Sequence, residues 1–113
     1  MNYVDGFVVP VPKAKREEYK SLADRMSKRF KEWGALKVVE CWGDHVPEGK
    51  VTSFPMAVKC EPDEVVVFSW IVWPSKAVRD EGQKKMMAEP EPESMPFDGK
   101  RMIFGGFEVL VDE

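Results

Sequence analysis

The chain has 113 residues, 43% hydrophobic and 33% charged, a balance that suits one globular domain over residues 1–113 and excludes a disordered or fibrous chain. A net charge of -3 and a pI near 5.3 argue against a dedicated nucleic-acid binder, whose domain is ordinarily basic. No apolar run approaches the roughly 18 residues of a membrane span.

Met1–Gly6 lacks the basic start, apolar core and cleavage site of a secretory signal, so a cytoplasmic protein is expected. Residues 3–11, YVDGFVVPV, are β-branched and aromatic, as a strand requires. From Lys13 to Trp33 the period changes. Tyr19, Leu22, Ala23, Met26, Phe30 and Trp33 follow steps of three and four and form one stripe of a helix that ends at Gly34. Leu36–Val46 returns to strand character, and VPEGK at 46–50 is a turn. Val51–Cys60 reads as an extended segment that Pro55 confines to an edge. After a second turn at 61–64, Val65–Trp73 (VVVFSWIVW) is apolar on both sides, which predicts a strand covered on both faces. Ser75 caps a second helix over 76–88 with a weak stripe of Val78, Gly82 and Met86. Three prolines interrupt regular structure in EPEPESMP, 89–96, and Arg101–Val111 reads as the last strand.

Strand, helix, strand, strand, helix, strand is the ferredoxin-like βαββαβ pattern, an antiparallel sheet with two helices on one face. The other face of such a sheet is uncovered. With strand 65–73 apolar throughout and Phe7, Trp42, Phe104 and Phe107 added, a monomer exposes a large apolar patch. A second copy packed sheet to sheet is the simplest cover, so a homodimer is expected.

Neither Gly99-Lys100 nor Gly49-Lys50 satisfies the spacing of a phosphate loop, and both lead into expected strands rather than helices. Cys41 and Cys60 form no CxxC and His45 is the sole histidine, so no metal site and no cofactor is expected. His45 remains a proton-transfer candidate. Asp5, Glu40 and Glu108 interrupt apolar strands. Alternation groups Asp5 with Tyr3, Phe7 and Val9, and Glu108 with Phe104. The purely apolar faces are expected to meet the helices, which turns the carboxylates into the dimer's interior. There each acid needs a cation such as Arg101 or Lys37, or a raised pKa that suits acid–base work. Trp42, Trp70 and Trp73 are candidates to stack a planar ligand in the same cavity, or plain core. Gly105 and Gly106 point to opposite faces, Gly105 expected beneath a helix and Gly106 towards the partner sheet.

YVDGFVVPVP, FKEWGALKVVECWGDHVPEGKVTSF, VVFSWIVWPSKAVRD and ESMPFDGKRMIFGGFE together resemble the YbaA-like family of small bacterial proteins of unknown function. The resemblance spans essentially the whole chain and implies a ferredoxin-like fold assembled as a dimeric α+β barrel. It carries over no catalytic residue. Two functional expectations result. One is a homodimer that binds or transforms a small apolar or aromatic metabolite in a barrel cavity. In that reading Asp5, Glu40, His45 or Glu108 moves a proton, and Trp42, Trp70, Arg101 and Gly106 shape the site. The other is an interaction or stress-related protein that docks through its outer helices or the 89–96 loop.

Overall fold

The computed structural model describes residues 1–90 and 94–113. Strand β1 (Tyr3–Pro12) runs through a single 3-10 turn into helix α1 (Arg16–Glu32), followed by β2 (Lys37–Trp42), a one-turn helix α2 (Phe54–Ala57), β3 (Glu64–Trp73), α3 (Lys76–Ala88) and β4 (Ile103–Glu108). The sheet order is β2-β3-β1-β4 and every neighbouring pair is antiparallel. This is the ferredoxin-like α+β topology expected from the element order, with α2 as an addition.

Local chemistry accounts for the elements. The stripe of α1 buries Tyr19 and Phe30. Gly34 ends the helix at φ 110, where a side chain is strained. There the Gly34 N–H meets the Lys31 carbonyl at 3.1 Å and the Ala35 N–H meets that of Phe30 at 2.9 Å, the Schellman arrangement. Ser75 caps α3 by accepting the Val78 N–H at 3.2 Å. Residues 51–60 differ from the extended segment expected. Ser53 accepts the Met56 N–H at 3.1 Å, and Pro55 sits in the first turn, where its missing N–H costs nothing, so the chain coils into α2. The final strand begins at Ile103 rather than Arg101, because Asp98 caps a 3-10 turn over Gly99–Arg101.

Register shows which residues share a face. Asp5, Phe7, Val9 and Val11 of β1 lie with Val67, Ser69, Ile71 and Trp73 of β3 and Val38, Glu40 and Trp42 of β2. This face carries α1 and α3. One cluster there joins Val9, Val11 and Val67 to Tyr19, and another joins Ile71 and Trp73 to Phe30 and Ala35. Burying each Val, Ile or Phe side chain of these clusters contributes about 1.5–3 kcal/mol. On the opposite face α2 covers one corner, where Val58 packs on Val8 and Val66. Elsewhere on that face Phe68, Ile103 and Phe107 are exposed, while Val4, Trp70 and Val72 are half-buried. Strand β3 is therefore covered on both faces only at its first end.

Candidate functional site

The face assignment overturns one expectation: the strand carboxylates lie on the helix-bearing side of the sheet, not on the open side. Parity tells which residues share a face. The helices cover the carboxylate-bearing face because two of its acids have partners there.

Asp5 is 1% exposed and is saturated by donors. Its Oδ2 accepts from Trp73 Nε1 at 2.9 Å and from Gln83 Nε2 at 3.2 Å. Arg79 Nε lies 3.0 Å from Oδ1, and Arg79 Nη2 lies 2.8 Å from the same oxygen. Arg79 also stacks over the Tyr3 ring at 5.4 Å. Neither Arg101 nor Lys37 is the partner; the cation comes from α3, one turn before Gln83. A charge this deep is stable only when paired and hydrogen-bonded, and here it ties α3 to β1 and β3. Gly82 completes the lock. A Cβ there would overlap the Trp73 indole.

Glu40 occupies a different setting. It lies opposite Ser69 on β3, and its Oε1 accepts the Tyr19 hydroxyl proton at 2.6 Å. A groove of 570 Å³ runs between α1 and the β2–β3 edge, lined by Arg16, Lys20, Ala23, Val38, Trp42 and Val67 along with this pair. Glu40 is an exposed residue, open to solvent through the groove mouth, although protein packed around its carboxyl removes part of its hydration. That desolvation pushes its pKa up, and the hydroxyls of Tyr19 and Ser69 partly offset it. Tyr19 is pushed far up by its own burial, by the negative charge of Glu40 and by the bond it donates. Tyr19 therefore remains a proton donor at every physiological pH. Glu40 has a carboxyl that either accepts a proton from a group in the groove or, once protonated, donates one.

The other sequence candidates are scattered. Trp42 forms a wall of the groove, with the Arg16 guanidinium 5.5 Å over its ring. Trp70 lies on the opposite face, in contact with Phe68 at a ring separation of 5.6 Å, and Trp73 is core. No single cavity holds the three. Arg101 is committed to structure: its two Nη atoms each lie 2.7 Å from a Glu64 oxygen, with Asp98 at 3.1 Å and the Lys59 carbonyl at 2.9 Å. These bonds hold the Glu64 carboxyl below its ordinary range. His45 is exposed beyond the end of β2. Glu108 is an exposed edge residue opposite Tyr3. The two glycines have exchanged the roles expected of them. A Cβ on Gly106 would stand 2.5 Å from Tyr3 Oη and 2.9 Å from Arg79 Nη2, on the helix side. Gly105 lies on the open side, 3.6 Å from the Phe107 ring, so a side chain of the same chain fills that space. Among the described residues no cluster of three or more His, Cys, Asp or Glu stands close enough to hold a metal ion.

Sequence reasoning placed Tyr19 in the core stripe and missed it as a functional partner, because the hydroxyl meets a residue 21 positions away. The signal was a tyrosine, rather than a phenylalanine, on a stripe facing a strand with an internal acid.

The family model described as "Protein of unknown function (DUF1428)" matches residues 2–99. This chain belongs to the DUF1428 family. The uncharacterised protein YbaA of Escherichia coli strain K12 is 59% identical over 117 aligned residues, covering 100% of both chains. The YbaA protein of Shigella flexneri matches with the same identity and coverage. Membership thus agrees with the resemblance read from the quoted segments. Among solved structures, "Structure of CPII bound to ADP and bicarbonate, from Thiomonas intermedia K12" aligns over 96% of this chain and 91% of that chain, at 12% identity and a TM-score of 0.35. A likeness this slight carries neither fold nor ligand across. Among the described residues, no helix is long and apolar enough to cross a membrane.

Proposed function

We propose that this DUF1428 protein binds a small, partly apolar molecule in the groove between α1 and β2 and exchanges a proton with it through Glu40. The observation that carries this reading is the 2.6 Å hydrogen bond between Tyr19 and Glu40 at an open groove walled by Trp42. A carboxyl raised by desolvation, held by neutral donors and facing a cavity is what general acid–base work requires. Asp5, equally internal to its strand, has no lone pair left for a ligand. The test is a fragment screen followed by NMR. Planar fragments should shift the Trp42 indole and Tyr19 ring signals, and hits with an ionisable O–H should lose the pH dependence of their binding in Glu40→Gln. Fragments that gather elsewhere, or none that touch these signals, would remove the reading.

We further infer that the protein is a homodimer, packed through the open face of the sheet. Phe107 is 60% exposed and Ile103 45% exposed at the β4 edge. The same face has an apolar hollow of 260 Å³ at its β2 edge, lined by Val46, Phe54, Val66 and Phe68. Knob and hollow on one face suit an isologous contact, in which each copy offers both. Light scattering should give twice the 13.0 kDa chain mass, and Phe107→Glu should reduce it to the monomer; a clean monomer at micromolar concentration overturns the dimer. The two unpaired cysteines fit a reducing compartment such as the cytoplasm.

A further inference from the structure

Resting on the groove reading above, we propose that the ligand is a small planar acid, with an anionic head held by Lys20 and Arg16 at the groove mouth and a hydroxyl turned towards Glu40. The charges around the mouth carry this. Arg16 Nη1 is paired with Glu17 at 3.3 Å, and Asp24 with Lys28 at 3.2 Å. Among the described residues Lys20 has no ion-pair partner, so both acids at the mouth are accounted for and one cation is not. The Arg16–Glu17 pair joins neighbouring, solvent-exposed side chains. Such a pair holds weakly and exchanges readily for a ligand anion.

The walls decide the shape of the ligand. Ala23, Val38, Val67 and the Trp42 ring give an apolar lining with one flat surface, and an aromatic face favours a planar body stacked against it. The Arg16 guanidinium rests over that face at 5.5 Å, a planar cation standing where a planar ligand would lie. A carboxylate at the mouth draws the guanidinium outwards and opens the indole in the same movement. The far end meets the Tyr19–Glu40 pair, which needs a ligand atom that can share a proton, and a hydroxyl does. An amine head fits poorly, since it would find Arg16 and Lys20 as like charges.

The probes are 4-hydroxybenzoate and its neutral analogue 4-hydroxybenzamide, titrated into the full chain at constant ionic strength while the Trp42 indole N–H is followed by NMR. The benzoate should bind at least tenfold more tightly than the amide. Lys20→Ala and Arg16→Ala should each cut that preference at least threefold, and Arg16→Ala, which also uncovers the Trp42 face, should if anything tighten the amide. Both side chains are solvent-exposed at the groove mouth, and a Trp42 shift retained on adding the amide shows that the groove is intact. If both compounds shift Trp42 with equal affinity, or the amide binds better, the anionic head is wrong and the groove reading stands. If neither shifts Trp42 at millimolar concentration, both the acid and the groove reading fall.

Discussion

Asp5 and Glu40 occupy comparable places: each is an acid inside an apolar strand, each on the sheet face that carries the helices, each paired with a side chain from a helix. Their surroundings set them apart. Asp5 is opposed by a full positive charge and accepts from an indole, an amide and a guanidinium, so every direction of approach is occupied. Glu40 is opposed by neutral hydroxyls and borders an open groove. A buried acid with a cation is a fastener. An exposed one held by hydroxyls, with room beside it, is free to meet a ligand.

The largest expected effect breaks the fastener. Asp5→Ala leaves Arg79 Nε and Nη2 and the buried Trp73 N–H without their acceptor, with Asp80 at 3.2 Å remaining to the guanidinium. Removing one partner of a buried ion pair costs about 3–5 kcal/mol, so urea unfolding at neutral pH should show a loss of that order. A loss below about 1 kcal/mol would reduce Asp5 to an incidental contact. Glu40→Gln should behave in the opposite sense. Because burial raises the Glu40 pKa in the folded state, its contribution to stability is full below the unfolded-state value and declines as pH rises through the folded one. Glutamine does not titrate, so the variant should gain on the wild type between acid and neutral pH. If it instead falls behind as pH rises, Glu40 is an ionised structural pair like Asp5 and the contrast disappears.

Much of the fold was legible in the sequence because its signals are periodic. The α1 stripe from Tyr19 to Trp33, the glycine at its end and the unbroken run of β3 each have a short-range physical cause, and together they imply the βαββαβ order. The face assignment was not legible. Alternation on β1 groups Asp5 with Tyr3 and Phe7 whichever side the helices take, and choosing the all-apolar side as the helix side ignored what α3 offers. Arg79 and Gln83, four apart on α3, are the polar groups that make the other side the better one, and a helix with only a weak apolar stripe was their trace. The one-turn α2 is likewise marked by Ser53 three residues before Met56, although Pro55 alone fits an interruption of an extended strand equally well. The groove was half legible: Glu40 and Trp42 were singled out on β2, while their neighbours from α1 required the fold.

The smallest effect is the most discriminating. In Tyr19→Phe the ring still fills its place between Val9, Val11 and Val67, but the hydroxyl that donates to Glu40 is gone. Stability should change little compared with Asp5→Ala, because the carboxyl can turn towards the groove and recover water. Its titration should change. Of the effects on Glu40, burial raises its pKa and the Tyr19 and Ser69 hydroxyls lower it, so removing the first hydroxyl must move the midpoint further up. Carbon-13 NMR of the Glu40 carboxyl across pH 4–9 reads this directly. A midpoint that stays put or moves down means that the hydroxyl does not stabilise the anion. A midpoint that rises assigns the proton at the groove to the Tyr19–Glu40 pair, a role that Asp5, closed on all sides by its donors, has no free oxygen to fill.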